Sequence, residues 1–102
     1  MELSMAYRIE IPVATDIGVM RQRQMSKYGE QNRNDPFWLG LVQRELGSVA
    51  SQMMEHDIIR NTDPNNAARA RTEQRRQMIK AAAALIAWIE AFDRVEWTKQ
   101  ER

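Results

Sequence analysis

An all-α fold with three main helices per protomer is what this sequence predicts, and three observations carry the prediction. Apolar residues recur at three- and four-residue steps through the middle and last thirds of the chain. The dipeptide Asp-Pro stands at Asp35-Pro36 and again at Asp63-Pro64, each time ahead of such a stretch, where it acts as a helix-start signal. Period-two alternation is confined to the N-terminal side, around Ile9-Glu10-Ile11-Pro12-Val13.

Residues 1–15 read as an N-terminal arm that packs on the domain or on a partner, because Pro12 argues against an early helix. The helical domain is expected over residues 16–102. Its first helix runs from about Asp16 to Tyr28, with Ile17, Met20, Gln24 and either Lys27 or Tyr28 at helical spacing and Gly29 as a natural stop. Gly29 to Asp35 is a loop, with Asp35 as N-cap and Pro36 at the first helical position. The second helix covers roughly Pro36 to Asp57 on a seam of Trp38, Val42, Leu46, Val49 and Met53, widened by Leu41 and Met54.

The third helix is expected from Pro64 to about Trp97, a length on the order of 50 Å at ~1.5 Å per residue. Its core stripe is Met78, Ala82, Leu85, Ile89 and Phe92. Beside that stripe, Ala83, Ala84, Ala87 and Ala91 permit close helix approach. Three helices leave stripes this broad uncovered. A four-helix core completed by dimerisation is therefore expected, with a second copy of the chain as partner.

At 102 residues the chain fits one domain. Its 43% apolar and 28% charged content is that of a globular protein rather than a disordered one. A net charge of +1 argues against a generic polyanion binder, so nucleic acid is not an expected partner and any attraction for phosphate is local. The lack of cysteine removes disulfides and thiolate metal sites and suits a reducing compartment. No basic segment followed by an apolar stretch opens the chain, and the longest apolar run, Ala81 to Ile89, is too short to span a bilayer. A cytoplasmic protein without a membrane partner is the expectation.

Two short stretches bear on chemistry. Arg44-Glu45-Leu46-Gly47-Ser48 lies on the second helix, and after 28 intervening residues Gln77-Met78-Ile79-Lys80 lies on the third. With Arg23-Gln24, Lys27-Tyr28-Gly29-Glu30-Gln31, Trp38-Leu39 and the run from Arg75 to Asp93, the chain resembles the MazG-like, all-α nucleoside triphosphate pyrophosphohydrolases, in the short form often carried by phages. The resemblance spans about Met20 to Asp93. In that family Glu-Glu-x-x-Glu on one helix faces Glu-x-x-Asp on the next. Carboxylates three or four apart share a helix face, and two opposed faces make an oxygen-lined cage for Mg²⁺, which bridges the phosphates while an activated water attacks.

Set against that pattern, Arg44 replaces the first acid, Glu45 is kept, Ser48 replaces the third, and Gln77 and Lys80 replace both acids of the second motif. A family charge of about −4 becomes about +1 over Arg44, Glu45 and Lys80. One carboxylate, a hydroxyl and a carboxamide suit a hard dication poorly. No catalytic residue and no cofactor are therefore expected. Glu45 is the residual metal candidate, and Mg²⁺ enters only under an enzymatic alternative.

The resemblance then implies a non-catalytic MazG-like protein that holds a phosphorylated nucleotide in a basic pocket, an anti-defence sponge for signalling nucleotides if phage-encoded. The expected ligand-binding residues are Lys80, Arg44, Glu45, Ser48 and Gln77. Arg76 and Arg69 share the helical face of Lys80, within a segment, residues 60–80, of six basic and two acidic side chains. By resemblance, Gln24, Lys27 and Trp38 line the base and phosphate side, although a tryptophan opening an amphipathic helix is more often a core anchor. Three alternatives stand beside this: Lys80 pairs with Glu45 and closes the site; a divergent Mg²⁺-dependent pyrophosphohydrolase rebuilds the metal site from Glu45 with Glu73 or other acids; or a helical dimer contacts an acidic protein or nucleic acid through its arginines. Glu55-His56-Asp57 point to different helix faces and do not converge on one ion.

Overall fold

A computed structural model describes residues 8–100, with side chains through residue 94. It contains α1 (Ile11–Tyr28), α2 (Asp35–Thr62), a single 3-10 turn (Pro64–Asn66) and α3 (Ala67–Gln100), with no strand among the described residues. No helix among those residues is long and apolar enough to cross a membrane.

The N-terminal arm is only partly where the alternation placed it. Residues 1–7 lie outside the described residues, residues 8–10 have no regular structure, and Ile11 to Thr15 already belong to α1. Pro12 stands in the first turn, where a backbone N–H has no intrahelical acceptor, so the proline starts the helix instead of blocking it. At the other end Gly29 adopts φ +70° and its N–H donates to the Met25 carbonyl at 2.8 Å, a stop that needs glycine.

The cap of α2 falls one residue earlier than the Asp-Pro signal suggests. Asn34 Oδ1 accepts from the Phe37 N–H at 3.1 Å, which makes Asn34 the cap and Asp35 the first helical residue. The helix also runs on past Asp57 to Thr62. Asp63 then closes it, its N–H donating to the Ile59 carbonyl at 2.6 Å, and the 3-10 turn absorbs the second Asp-Pro before α3 begins.

α2 and α3 form an antiparallel hairpin. Trp38, near the start of α2, packs with Ala87 and Ala91 in the second half of α3, and Leu41 and Trp88 flank them. Further along α2, Glu45 faces Lys80. α1 also packs on α3, tied by Arg75 to Asp16 at 2.7 Å and by Arg21 to Glu90. It buries no residue fully. Among the described residues no Cα of α1 comes within 8 Å of a Cα of α2.

The inner face of α3 is not the stripe that side-chain size suggests. Ile79, Ala83, Ala87 and Ala91, at four-residue steps, are buried together with Ala70, Ala81 and Ala84. Met78, Leu85, Ile89 and Phe92 lie 45–52% exposed on the neighbouring face. Alanine wins the inside because α1 and α2 both approach α3 closely, and a larger side chain would hold them off. The α2 seam splits likewise: Trp38 and Val42 are buried, Leu46, Met53 and Met54 are exposed, and Glu45 takes an inner position. The radius of gyration is 17.0 Å, against about 13 Å for a compact domain of roughly 100 residues.

Candidate functional site

Because α1 and α2 both lie on α3 without closing on each other, a furrow of about 540 Å³ runs between them, within the range of small-molecule sites. Its walls are Met20 to Tyr28 of α1 and Phe37 to Glu45 of α2; Lys80, Ala84 and Ala87 of α3 line its floor. Short alanine side chains give that floor its depth. Gly29, Gln31 and Arg33 of the connecting loop, with Arg94 of α3, line one end.

That loop is fastened to α3. Arg94 Nε donates to Asn32 Oδ1 at 2.9 Å and its guanidinium reaches the Gln31 carbonyl at 3.4 Å, with Glu30 at 3.7 Å. The start of α2 is fixed by Trp88 Nε1, which donates to Asp35 Oδ1 at 2.9 Å. Trp38 is 5% exposed, and its Nε1 donates to the Arg33 carbonyl at 3.1 Å. Its indole is therefore a core anchor that shapes the furrow, not a free stacking platform. The accessible rings are Tyr28 and Phe37, over which Lys27 and Arg33 sit at 5.1 and 5.0 Å from the ring centres.

Charge in the furrow is one-sided. Seven cationic side chains line it (Arg21, Arg23, Lys27, Arg33, Arg44, Lys80 and Arg94) against one carboxylate, Glu45. Glu90 and Glu30 reach in to Arg21 and Arg94. Among the described residues no carboxylate pairs with Arg23, Lys27 or Arg33. Glu45 lies between Lys80 Nζ at 3.8 Å and the Arg44 guanidinium at 3.6 Å. The Lys80–Glu45 pair thus forms, and the furrow stays open beside it.

Six of the ten ligand-binding residues expected from sequence come together here: Gln24, Lys27, Trp38, Arg44, Glu45 and Lys80. Four do not line the furrow. Ser48 lies one turn beyond Glu45, its hydroxyl donating to the Arg44 carbonyl at 3.4 Å. Gln77 turns its Oε1 into the packing without a hydrogen bond. Arg76 pairs with Glu73 at 3.5 Å, and Arg69 sits with Glu55, Asp63 and Glu73 in a separate depression near the α2–α3 turn. Sharing a helix face with Lys80 was not enough, since Arg69 lies eleven residues away, roughly 16 Å along α3.

Arg21, Arg23, Arg33, Arg94, Tyr28 and Phe37 belong to the furrow without having been expected there. Arg33 and Arg94 carry no periodic signal. Their place depends on the loop conformation and on a contact between residues 62 apart.

The donor set does not fit Mg²⁺. Glu45 is the single carboxylate of the furrow and two cations already flank it. Glu73, the acid named for the enzymatic alternative beside Glu45, lies in the other depression. Among the described residues no three His, Cys, Asp or Glu side chains gather in a way that could hold a metal ion. Comparison with protein-family models, with curated proteins and with solved structures finds no match.

Proposed function

We propose that this chain is a non-catalytic, MazG-like helical protein that binds a phosphorylated nucleotide in the furrow between α1 and α2 and releases it unchanged. One observation carries the proposal: seven cations and one carboxylate line a single cleft, and three of those cations have no carboxylate partner among the described residues. Guanidinium and ammonium groups grip phosphate oxygens directly, the first as a planar fork and the second as a point charge. Tyr28 and Phe37 add accessible aromatic faces beside them. A site that holds phosphates by side-chain charge alone suits capture rather than turnover. Sequestration of a signalling nucleotide in a phage-infected cell is the role that the phage-type resemblance favours.

The working form in this proposal is a homodimer. The accessible surface of one chain is 8101 Å², whereas a compact monomer of this mass exposes about 5,900 Å². The half-exposed stripe Met78, Leu85, Ile89 and Phe92 has the seven-residue spacing of a helix seam.

The test is calorimetry with nucleoside mono-, di- and triphosphates in EDTA. Micromolar binding is expected, weakening with salt. Lys27→Ala and Arg33→Ala, both at exposed positions, should each weaken it about 10- to 100-fold, the value of one bond to a charged group. Binding that requires Mg²⁺, or pyrophosphate release on standing, would contradict the proposal.

A further inference from the structure

The floor of the furrow holds a group that a pure anion site does not call for. Glu45 is 6% exposed and lines the furrow, yet its Oε2 is shut off from solvent with no hydrogen bond. Lys80 and Arg44 balance its charge from 3.8 and 3.6 Å, beyond hydrogen-bonding distance. A buried carboxylate oxygen left in this state is unfavourable until a donor reaches it. Phosphate cannot serve, because it carries the same sign of charge. An N–H or O–H of a ligand can, once the half-exposed Lys80 ammonium swings off its flexible stem.

The cations without carboxylate partners lie elsewhere. Lys27 is in the last turn of α1, Arg23 one turn before it, and Arg33 in the loop beyond. From Phe37, at that end, to Glu45 is eight residues of α2, about 12 Å. Between them Trp38, Leu41, Ala84 and Ala87 make an apolar floor and α2 wall, with Arg23 and Gln24 of α1 facing it across the furrow. The furrow therefore has an anion end, a middle with an apolar floor, and an acceptor end.

Resting on the nucleotide proposal above, we infer that the ligand lies along the furrow with its phosphates at Lys27 and Arg33 and two adjacent hydrogen-bond donors on the Glu45 carboxylate. A carboxylate has two acceptor oxygens and receives such a pair side by side. A nucleotide offers adjacent donors in two places, the N1–H and 2-amino group of guanine and the 2′,3′-diol of ribose. The Watson–Crick edge of adenine sets a lone-pair nitrogen beside its amine, and that nitrogen repels the carboxylate. Glu45 is thus the specificity-determining residue of the site, and the lysine and arginines supply the affinity.

The experiment is calorimetric titration of the full chain and of Glu45→Gln with GTP, ATP, 2′,3′-dideoxy-GTP and inorganic tripolyphosphate. In the wild type the ligands that carry the donor pair should bind about 10- to 100-fold more tightly than those without it, the factor of one bond to a charged group. Dideoxy-GTP grouping with GTP assigns the guanine edge; ATP grouping with GTP assigns the ribose diol. Glu45→Gln should erase the preference and leave tripolyphosphate binding equal or stronger. A wild type that binds all four alike overturns the inference while the phosphate site stands, and it does so without any variant. A preference that survives in Glu45→Gln also overturns it. If none of the four binds, the nucleotide proposal falls with it.

Discussion

Replacing Leu85 and Ile89 together by glutamate should convert a dimer to a monomer without unfolding the chain. Met78, Leu85, Ile89 and Phe92 are about half exposed in the single chain. Full burial of such side chains is worth about 1.5–3 kcal/mol each, so covering the remaining half contributes about 1 kcal/mol apiece. Four from each copy in a two-fold interface give about 8 kcal/mol. Leu39, Leu46 and Met53, also at seven-residue steps and 47–54% exposed, bring the sum to about 14 kcal/mol if they share the interface. Against an association cost in the lower part of the ~4–15 kcal/mol range, micromolar self-association remains.

The double substitution removes two of these side chains per copy, about 4 kcal/mol in all, and sets like charges against each other, a thousandfold weakening or more. Sedimentation velocity reads it directly. The wild type should run at twice the 11.9 kDa chain mass and the variant at that mass, with unchanged circular dichroism. A wild type that stays monomeric at high micromolar concentration would refute the area argument. So would a variant that remains dimeric.

Ala84→Leu places a larger side chain on the furrow floor where Ala84 is 2% exposed; it should abolish nucleotide binding at a stability cost of about 1–3 kcal/mol, seen by calorimetry beside thermal melting. Gly18 lies inside α1 with nothing within 4 Å of where a Cβ would stand, so Gly18→Ala should stabilise the chain by about 0.5–1 kcal/mol in denaturant titration. Amide exchange should be faster in α1, which has no buried residue, than in the Trp38–Ala91 region, and nucleotide should slow it. Equal protection of the two regions would contradict the packing described.

Much of the fold was legible because its signals are local. Gly29 ends a helix by backbone conformation alone, and an Asp-Pro pair needs only its neighbours to favour a turn. The choice between the two stripes of α3 was not local. Met78, Leu85, Ile89 and Phe92 outrank Ala83, Ala87 and Ala91 in hydrophobicity, but how closely three helices approach decides which face turns inward. In the furrow, Arg44, Glu45 and Lys80 come together as helical spacing on two facing helices allows. Arg33 and Arg94 were not legible in the sequence, since a loop and a distant helix end bring them in.

α1 forms one wall of the furrow yet reaches its neighbour α2 only through the short loop after Gly29, and two ion pairs fasten it to α3. A guest lodged against both walls acts as mortar between bricks that do not otherwise meet. Under the nucleotide proposal, occupancy would govern how long the polypeptide survives: loaded molecules would resist proteases, while empty ones would offer a loosely held first segment for cleavage. The cell would thus keep about as many copies as there is cargo to fill them.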